Sequence, residues 1–231
     1  MKKIAIHLMI FVSLITFLTS CKLDNYDGPN AEISGSIYDS LTNELVRQDI
    51  ASGAQISFIE HGYKNPETQY MIIKNNGTFM NKQMFAGTYT MQLQLGNFVP
   101  LNEQEVVIKG KTLLNFIVQP YIRVKNAKIE KVDNTIVATF NIQTTIAGKN
   151  IKKIGLYAHL QDYVGEPSKA FYIERSIGAV VDETVEQKLV MDLDAYSTSY
   201  SVGKQYYFIV GALLDVAQAK LNYAAPVRIQ L

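Results

Sequence analysis

Apolar and polar residues alternate strictly along several stretches of this chain. Between residues 87 and 95, Tyr, Met and Leu occupy every second position after Gly87, and Thr and Gln fill the positions between them. Similar alternation recurs at 135–142 and 184–193. A period of two places one set of side chains on each face of an extended strand. The pattern therefore predicts half-buried β-strands.

Turn-forming residues punctuate further strand-like segments. Asn75-Asn76-Gly77 is predicted to close a hairpin, because Asn and Gly tolerate a positive φ, and Asp133-Asn134 and Gly148-Lys149-Asn150 have the same character. No long amphipathic helix is visible, and residues 215–220 are predicted to form at most one helical turn. Many short strands predict an all-β fold of sandwiches or barrels. The additional strand-like segments are 33–38, 54–59, 105–108, 113–118, 151–158, 171–173 and 206–213.

Pro120 marks the predicted boundary between two domains. Proline has no N–H to donate to a strand ladder, so it commonly ends a strand or begins a linker. Division there leaves residues 31–119 and 120–231, and each part has the usual size of a small β-sandwich. The sequence therefore predicts two β-sandwich domains.

The first twenty residues have the pattern of a secretory signal. Lys2 and Lys3 precede an almost wholly apolar run at 4–18, and small residues follow it. The run is short for a membrane span, which needs about 17–25 residues. The order of charge, apolar run and small residues is typical of a cleaved signal peptide.

The end of that segment, Leu18-Thr19-Ser20-Cys21, resembles the lipobox of bacterial lipoproteins. The resemblance implies that residues 1–20 are removed and that Cys21 carries the lipid. Residues 21–30 are polar and rich in turn formers, so they are predicted to be a tether. Lipid chains hold a protein on a bilayer, and we expect an outer-membrane lipoprotein that faces the cell surface, with the periplasmic face as the alternative.

Charge and cysteine content exclude several classes of protein. The formal net charge is +1, no run of Lys or Arg occurs, and a nucleic-acid-binding protein needs a basic patch. Cys21 is the only cysteine, so the chain has no internal disulfide and no cysteine metal site. We expect no cofactor.

The first domain resembles the carboxypeptidase regulatory-like, or transthyretin-like, β-sandwich. The residues that carry the resemblance are the opening strand at 33–39 (ISGSIYD), then Gly77-Thr78-Phe79 and Gly87-Thr88-Tyr89. The resemblance implies a non-catalytic sandwich. Phe79 and Tyr89 are expected to lie in its core.

Taken whole, the chain is similar to a family of two-domain Bacteroidota lipoproteins of unknown function. The segments at 21–30 (CKLDNYDGPN) and 116–124 (FIVQPYIRV) carry that similarity. It implies an Ig-like or fibronectin-like second sandwich and an accessory role at the outer membrane, beside SusC/SusD-like glycan-uptake proteins. It implies no active site, so no catalytic residue is carried over.

Candidate chemistry in the mature part is sparse. His61 and His159 are isolated from other metal ligands, and isolated histidines are usually structural or solvated. Asp192 and Asp194 could offer two carboxylates to calcium, but the segment lacks the further oxygen ligands that calcium requires. We therefore expect no metal site and no catalytic constellation.

Tyrosines offer the one predicted ligand site. Tyr196 and Tyr200 lie in the polar segment 194–201 (DAYSTSYS), and aromatic faces can stack on sugar rings. The alternative is that both rings pack at a sheet edge, where tyrosine is common.

Three functions remain open from the sequence. The leading hypothesis is a non-catalytic, surface-anchored accessory or glycan-binding protein. The second is a structural or assembly subunit that binds no sugar. The third is a hydrolase whose acid pair is not evident, since carboxylate spacing in sequence alone does not identify one.

Overall fold

The computed structural model describes residues 27–231, and they form an all-β protein with a single short 3-10 turn at Asp194–Tyr196. The predicted signal peptide, Cys21 and most of the predicted tether lie outside the described residues. Residues 27–30 run exposed into the first strand. Among residues 27–231, no helix has the length and apolarity needed to cross a membrane.

The first domain is a sandwich of two sheets. In one sheet β1 lies between β4, which is antiparallel to it, and the short parallel strands β7 and β8. The other sheet has the antiparallel order β3-β2-β5-β6. The strands are β1 (Ala31–Asp39), β2 (Gln55–Glu60), β3 (Gln69–Ile72), β4 (Thr78–Met84), β5 (Gly87–Leu93), β6 (Gln104–Ile108), β7 (Lys111–Leu113) and β8 (Phe116–Val118).

Alternation along these strands builds the first core. Every second residue of β1 and β5 is buried between the sheets, and the residues between them face outward. Phe79 and Tyr89 are both buried, which confirms the prediction for these two aromatic residues. Gly35 is required in β1 because a Cβ there would lie 1.6 Å from the Leu114 carbonyl oxygen.

The second domain is also a sandwich. One sheet has the order β13-β10-β9, and the other has the order β12-β11-β14-β15, with β16 also paired to β14. The strands are β9 (Ile122–Val132), β10 (Thr135–Thr144), β11 (Ile151–His159), β12 (Phe171–Ala179), β13 (Gln187–Asp192), β14 (Gln205–Leu214), β15 (Asn222–Tyr223) and β16 (Val227–Gln230). The two sandwiches confirm the predicted fold class.

The sheet that contains β11 and β14 is covered on both faces. Leu156 and Val210 point into the sandwich core, while Tyr157 and Ile209 are buried on the opposite face. Val164 and Leu221, from the segments after β11 and after β14, cover that opposite face. We call it the covered face. Strands buried on both sides read as continuous apolar runs, as the sequences of β11 and β14 do.

Of three local predictions, one hairpin is confirmed, and the segments at 75–77 and 215–220 differ from the prediction. Asp133-Asn134 joins the paired strands β9 and β10, with Asp133 at a φ of 51°, and confirms the predicted hairpin. Asn75-Asn76-Gly77 makes a hydrogen-bonded turn, but it connects β3 to β4, which belong to different sheets. Residues 215–220 form a turn and no helix, because Gln218 adopts a φ of 61°.

Two buried asparagines join the domains. The Asn97 side chain donates to the carbonyl oxygens of Arg47 at 2.8 Å and Leu221 at 3.0 Å, and it accepts from Gln48 at 2.8 Å. The Asn222 side chain donates to the Asn97 carbonyl at 2.9 Å and accepts from the Ile122 amide at 3.2 Å. Since both side chains are buried, losing one partner leaves unpaired polar atoms, which costs about 1–3 kcal/mol. We call this the asparagine junction.

Candidate functional site

The outer face of the first domain's β3-β2-β5-β6 sheet is open and polar. Ser57 on β2 lies opposite Tyr70 on β3 and Gln92 on β5. The alternation of β5 sends Tyr89, Met91 and Leu93 inward, so its threonines and glutamines face outward. Neighbouring strands lie about 4.8 Å apart, so this register brings side chains from three strands into one patch.

Two adjoining depressions mark this face. The first has a volume of about 240 Å³, the second has about 350 Å³, and both are lined by Tyr70 and Gln94. We call the two together the sheet-face groove. The first depression is lined chiefly by Ser57, Tyr70, Thr90, Gln92, Gln94 and Glu103. The second is lined chiefly by Gln55, Tyr70, Gln94, Leu95, Gln218 and Lys220.

Side-chain amides in the groove are held in place by each other. The Gln94 amide nitrogen donates to the Ser57 hydroxyl at 2.6 Å and to the Gln92 side-chain oxygen at 3.3 Å. Within the described residues, the Gln94 side-chain oxygen and the Gln92 amide nitrogen have no hydrogen-bond partner in the protein. An ordered acceptor and an ordered donor are therefore available to a ligand.

Tyr70 stands between the two depressions with its side chain largely in solvent. It is 61% exposed, and no other aromatic ring of residues 27–231 stacks on it. An aromatic ring combines an apolar face with a polar edge and suits contact surfaces that are partly wet. The groove thus combines an open ring with fixed amide and hydroxyl groups.

A second concavity lies between the domains. It has a volume of about 380 Å³, and Asp39, Arg123 and the asparagine junction line it. Arg123 makes a bidentate ion pair with Asp39, at 2.5 and 2.7 Å. Burial alone would raise the pKa of Asp39, but the hydrogen bonds from Arg123 and from the Leu41 amide outweigh it and hold that pKa below its usual value. These polar groups bind one another and so help to hold the two domains together.

A buried carboxyl lies where the first domain meets the covered face. The Tyr223 hydroxyl donates to Asp49 at 3.0 Å and accepts from the Glu166 amide at 2.9 Å. Burial is the main cause that raises the pKa of Asp49 to about 6, and the hydrogen bond from Tyr223 opposes it. Within residues 27–231, no three or more His, Cys, Asp or Glu side chains come together in a group that could hold a metal ion.

The structure places the predicted tyrosines at one end of the second sandwich. Tyr196 and Tyr200 are half-buried, and their rings lie 5.5 and 6.0 Å from the ring of Phe171. The Tyr196 hydroxyl donates to the Tyr172 carbonyl at 2.5 Å. One side of each ring thus packs on the core, and ligand binding by these tyrosines stays a prediction.

The remaining candidates are dispersed. His61 shares a 2.8 Å hydrogen bond with the Thr90 hydroxyl at the margin of the groove, while the ring of His159 packs 5.1 Å from that of Tyr163. Asp192 accepts from the Asp194 amide at 3.0 Å and so caps its own turn. The structure brings none of these residues together.

No pattern in the sequence identifies Tyr70, Gln92 or Gln94 as a site. Gln92 and Gln94 were visible as the polar half of the β5 alternation. Tyr70 lies in a segment with no recognisable period. Its place beside Ser57 depends on strand pairing between β2 and β3, which no local pattern specifies.

Family models match both halves of the chain. The model described as the N-terminal domain of a protein of unknown function, DUF3823, matches residues 31–119. The model described as the DUF3823_C domain of unknown function matches residues 122–228. No curated protein matches the sequence.

Solved structures of Bacteroides and Parabacteroides proteins share the two-domain fold. A candidate carbohydrate-binding protein from Bacteroides uniformis is 35% identical, with a TM-score of 0.82 over 88% of this chain and 100% of that protein. A DUF3823 family protein from Parabacteroides merdae is 20% identical, with a TM-score of 0.75 over the same shares of the two chains. A further DUF3823 protein, from Bacteroides ovatus, is 21% identical, with a TM-score of 0.68 over 88% of this chain and 100% of that one. At these lower identities the last two show the fold alone.

Proposed function

Because the chain belongs to the DUF3823 family of two-domain proteins of unknown function, we propose that it is a non-catalytic glycan-binding protein whose ligand lies in the sheet-face groove. The single observation that carries this proposal is the exposed ring of Tyr70 beside the side-chain oxygen of Gln94 and the amide nitrogen of Gln92, which have no hydrogen-bond partner within the described residues. The carbohydrate-binding description of the 35% identical Bacteroides uniformis protein supports the class of ligand.

The chemistry of the groove suits a sugar ring. A pyranose has an apolar face of C–H groups, which can stack on an aromatic ring, and a rim of hydroxyls that donate and accept hydrogen bonds. Tyr70 supplies the ring, Gln94 offers an acceptor and Gln92 offers a donor. Few charged groups lie in the first depression, so a neutral sugar would leave no buried ion unpaired.

We extend the proposal to the cell envelope. The lipobox at Cys21 supports a lipid anchor, and the resemblance to Bacteroidota lipoproteins supports a place at the cell surface beside SusC/SusD-like uptake proteins. In this role the protein holds glycan near the transporter. Replacing Cys21 with Ser should abolish palmitate labelling and detergent partitioning, and labelling that persists would overturn the anchor.

Tyr70→Ala tests the groove directly. The chain offers a matched control in Tyr63, which is 63% exposed on the same domain but lines neither depression. Tyr70→Ala should weaken glycan binding at least about tenfold, the scale of a contact worth ~1.4 kcal/mol. Tyr63→Ala should leave it unchanged. Affinity electrophoresis against a panel of soluble polysaccharides, followed by calorimetry on those that bind, measures both.

The two other functions predict different results from the same proteins. A structural or assembly subunit would bind no polysaccharide in the panel but would copurify with SusC/SusD-like proteins from solubilised membranes. A hydrolase would release reducing sugar from a bound polysaccharide. Equal effects of Tyr70→Ala and Tyr63→Ala, or binding that both variants retain, would place the ligand elsewhere.

A further inference from the structure

The sheet-face groove does not end with the first domain. Its second depression is walled by Gln55, Gln94 and Leu95 on one side and by Gln218 and Lys220 on the other. The latter two belong to the segment between β14 and β15 of the second domain. The Lys220 amide donates to the Gly96 carbonyl at 3.2 Å, which fixes this segment against the end of β5. One groove is therefore built from both domains.

The groove is long enough for more than one sugar unit. Tyr70, Ser57, Gln92 and Glu103 line the first depression across neighbouring strands, a distance of ~14 Å at the usual strand spacing. The second depression continues beyond the Tyr70 and Gln94 side chains. Each depression alone lies near or below the lower end of the ~300–1,000 Å³ typical of a ligand site. An oligosaccharide that fills both therefore matches the space better than a single sugar.

Charge differs between the two ends of the groove. Glu103 lies at the first end, and Lys220 is the charged residue that lines the second depression. Within the described residues, no carboxylate lies within ion-pair distance of the Lys220 ammonium. Asp49 is near enough to be influenced by Lys220, but it accepts its hydrogen bond from Tyr223. A half-buried lysine without an ion-pair partner can hold an anionic group.

The backbone at this end is also unusual. Gln218 holds a φ of 61° without being glycine, and its turn presents both Gln218 and Lys220 to the depression. Residues in sparsely populated backbone conformations concentrate at ligand sites.

From these observations we propose that the sheet-face groove is a two-domain site for an extended acidic glycan, with the sugar chain across Tyr70 and Gln94 and its carboxylate or sulfate group at Lys220. This inference rests on the proposed glycan-binding function. It adds the class of glycan and the direction in which the chain lies, with the anionic end toward the second domain and away from Glu103.

The test uses the folded two-domain protein and two matched pairs of probes. Polygalacturonate and its fully methyl-esterified form share a backbone and differ in free carboxylates, while dextran sulfate and dextran differ in sulfate. Calorimetry at low salt compares the wild type with Lys220→Gln, Lys220→Arg and Gln94→Ala. Lys188→Gln is the charge control, because it removes one exposed lysine from β13, outside the groove.

At least one anionic probe should bind the wild type more tightly than its neutral partner. Lys220→Gln should remove that preference with a loss of about tenfold, as for one charge-assisted contact. Lys220→Arg and Lys188→Gln should keep the preference, and added salt should weaken it because screening acts on the charge contact. Gln94→Ala should weaken both members of a pair, since Gln94 lines both depressions. Melting temperatures show that each variant is folded.

The outcomes separate this inference from the proposed function. If neutral and anionic partners bind equally through Tyr70, the acidic class is wrong. If the preference survives Lys220→Gln, the placement of the anionic group at Lys220 is wrong. In both cases the glycan site stands. If no probe binds the wild type, the acidic-glycan inference fails, while the polysaccharide panel with Tyr70→Ala still tests the proposed function. If Tyr70→Ala leaves all binding intact, both proposals fail.

Discussion

Of two outward sheet faces of this molecule, one is exposed to solvent and the other is covered by other segments of the chain. The outer face of β3-β2-β5-β6 in the first domain is open, and Tyr70 stands in solvent there. The corresponding face of β11 and β14 in the second domain is covered, and Tyr157 and Ile209 are fully or almost fully buried on it. The covered face takes up the segments after β11 and β14 and the contact with the first domain. The open face carries the proposed glycan site.

Tyrosine has a different role on each of the two faces. Tyr157 stacks 6.3 Å from Tyr172 and donates a hydrogen bond to Glu174 at 2.8 Å. Its ring thus contributes packing and its hydroxyl completes a charged cluster with Lys153. Among residues 27–231, Tyr70 has neither kind of partner. A tyrosine-rich composition therefore does not identify a sugar site unless the covering of each ring is known.

The largest expected effect is at the covered face. Tyr157→Ala removes a wholly buried ring and leaves Glu174 without one of its donors, so it should lower the free energy of unfolding by about 3–5 kcal/mol. Chemical denaturation measures this loss. Tyr157→Phe keeps the ring and should lose only ~1 kcal/mol. Equal losses for the two variants would mean that the hydrogen bond, and not the packing, dominates.

Substitutions of Tyr196 and Tyr200, at one end of the second sandwich, should lower the free energy of unfolding by less than Tyr157→Ala does. Each ring packs on Phe171, so Tyr196→Ala and Tyr200→Ala should each lower stability by ~1–2 kcal/mol. Thermal melting beside glycan binding decides between packing and recognition. A drop in binding with an unchanged melting temperature would show that these tyrosines act as a ligand site, as the sequence predicted.

The buried carboxyl of Asp49, at the covered face, should make the stability of the protein depend on pH. Burial raises the pKa of Asp49 from 3.8 to about 6 in the folded protein. The stability from this group is therefore complete below pH 3.8 and is lost as the pH rises through about 6. Between pH 5 and 7.5 the wild type should lose ~1 kcal/mol relative to Asp49→Asn, which does not titrate. Parallel pH profiles for the two proteins would contradict this assignment.

The smallest expected effect on stability is at the open face. Tyr70→Ala should change the free energy of unfolding by no more than ~0.5 kcal/mol, as is usual for an exposed surface position. Denaturation of this variant beside Tyr157→Ala compares the same substitution on both faces. A large loss at Tyr70 would mean that the ring supports the sheet and would remove the main reason to regard the face as a site.

Part of this contrast between the two faces can be predicted from the sequence. The strict alternation of β5 predicts one buried and one polar face, and the structure has both. The continuous apolar runs in β11 and β14 indicate burial on two faces, but they do not say what covers the second one. That answer depends on Val164 and Leu221, which fold back onto the covered face from the loops that follow β11 and β14. Tertiary contacts of this kind leave no local period in a sequence.

The candidate site was less predictable than the fold for the same reason. The groove needs Tyr70 beside Ser57 and Gln92, a relation set by the register of three strands. It also needs Lys220, which reaches Gly96 across more than one hundred residues of chain. Tyr196 and Tyr200 have the local composition of a binding loop, but the sequence does not show that each ring also packs on Phe171.

The asparagine junction has a consequence for the order in which a nascent chain can mature. Asn97 can complete its hydrogen bonds only when Leu221 and Asn222 are present, and they follow it by 124 and 125 positions. At about 5–20 residues per second, synthesis needs roughly 6–25 s to supply them. During that interval the first sandwich can collapse, but the amide of Asn97 has only its local partners Arg47 and Gln48. The first half of the protein therefore reaches its final form only after most of the second half has been made.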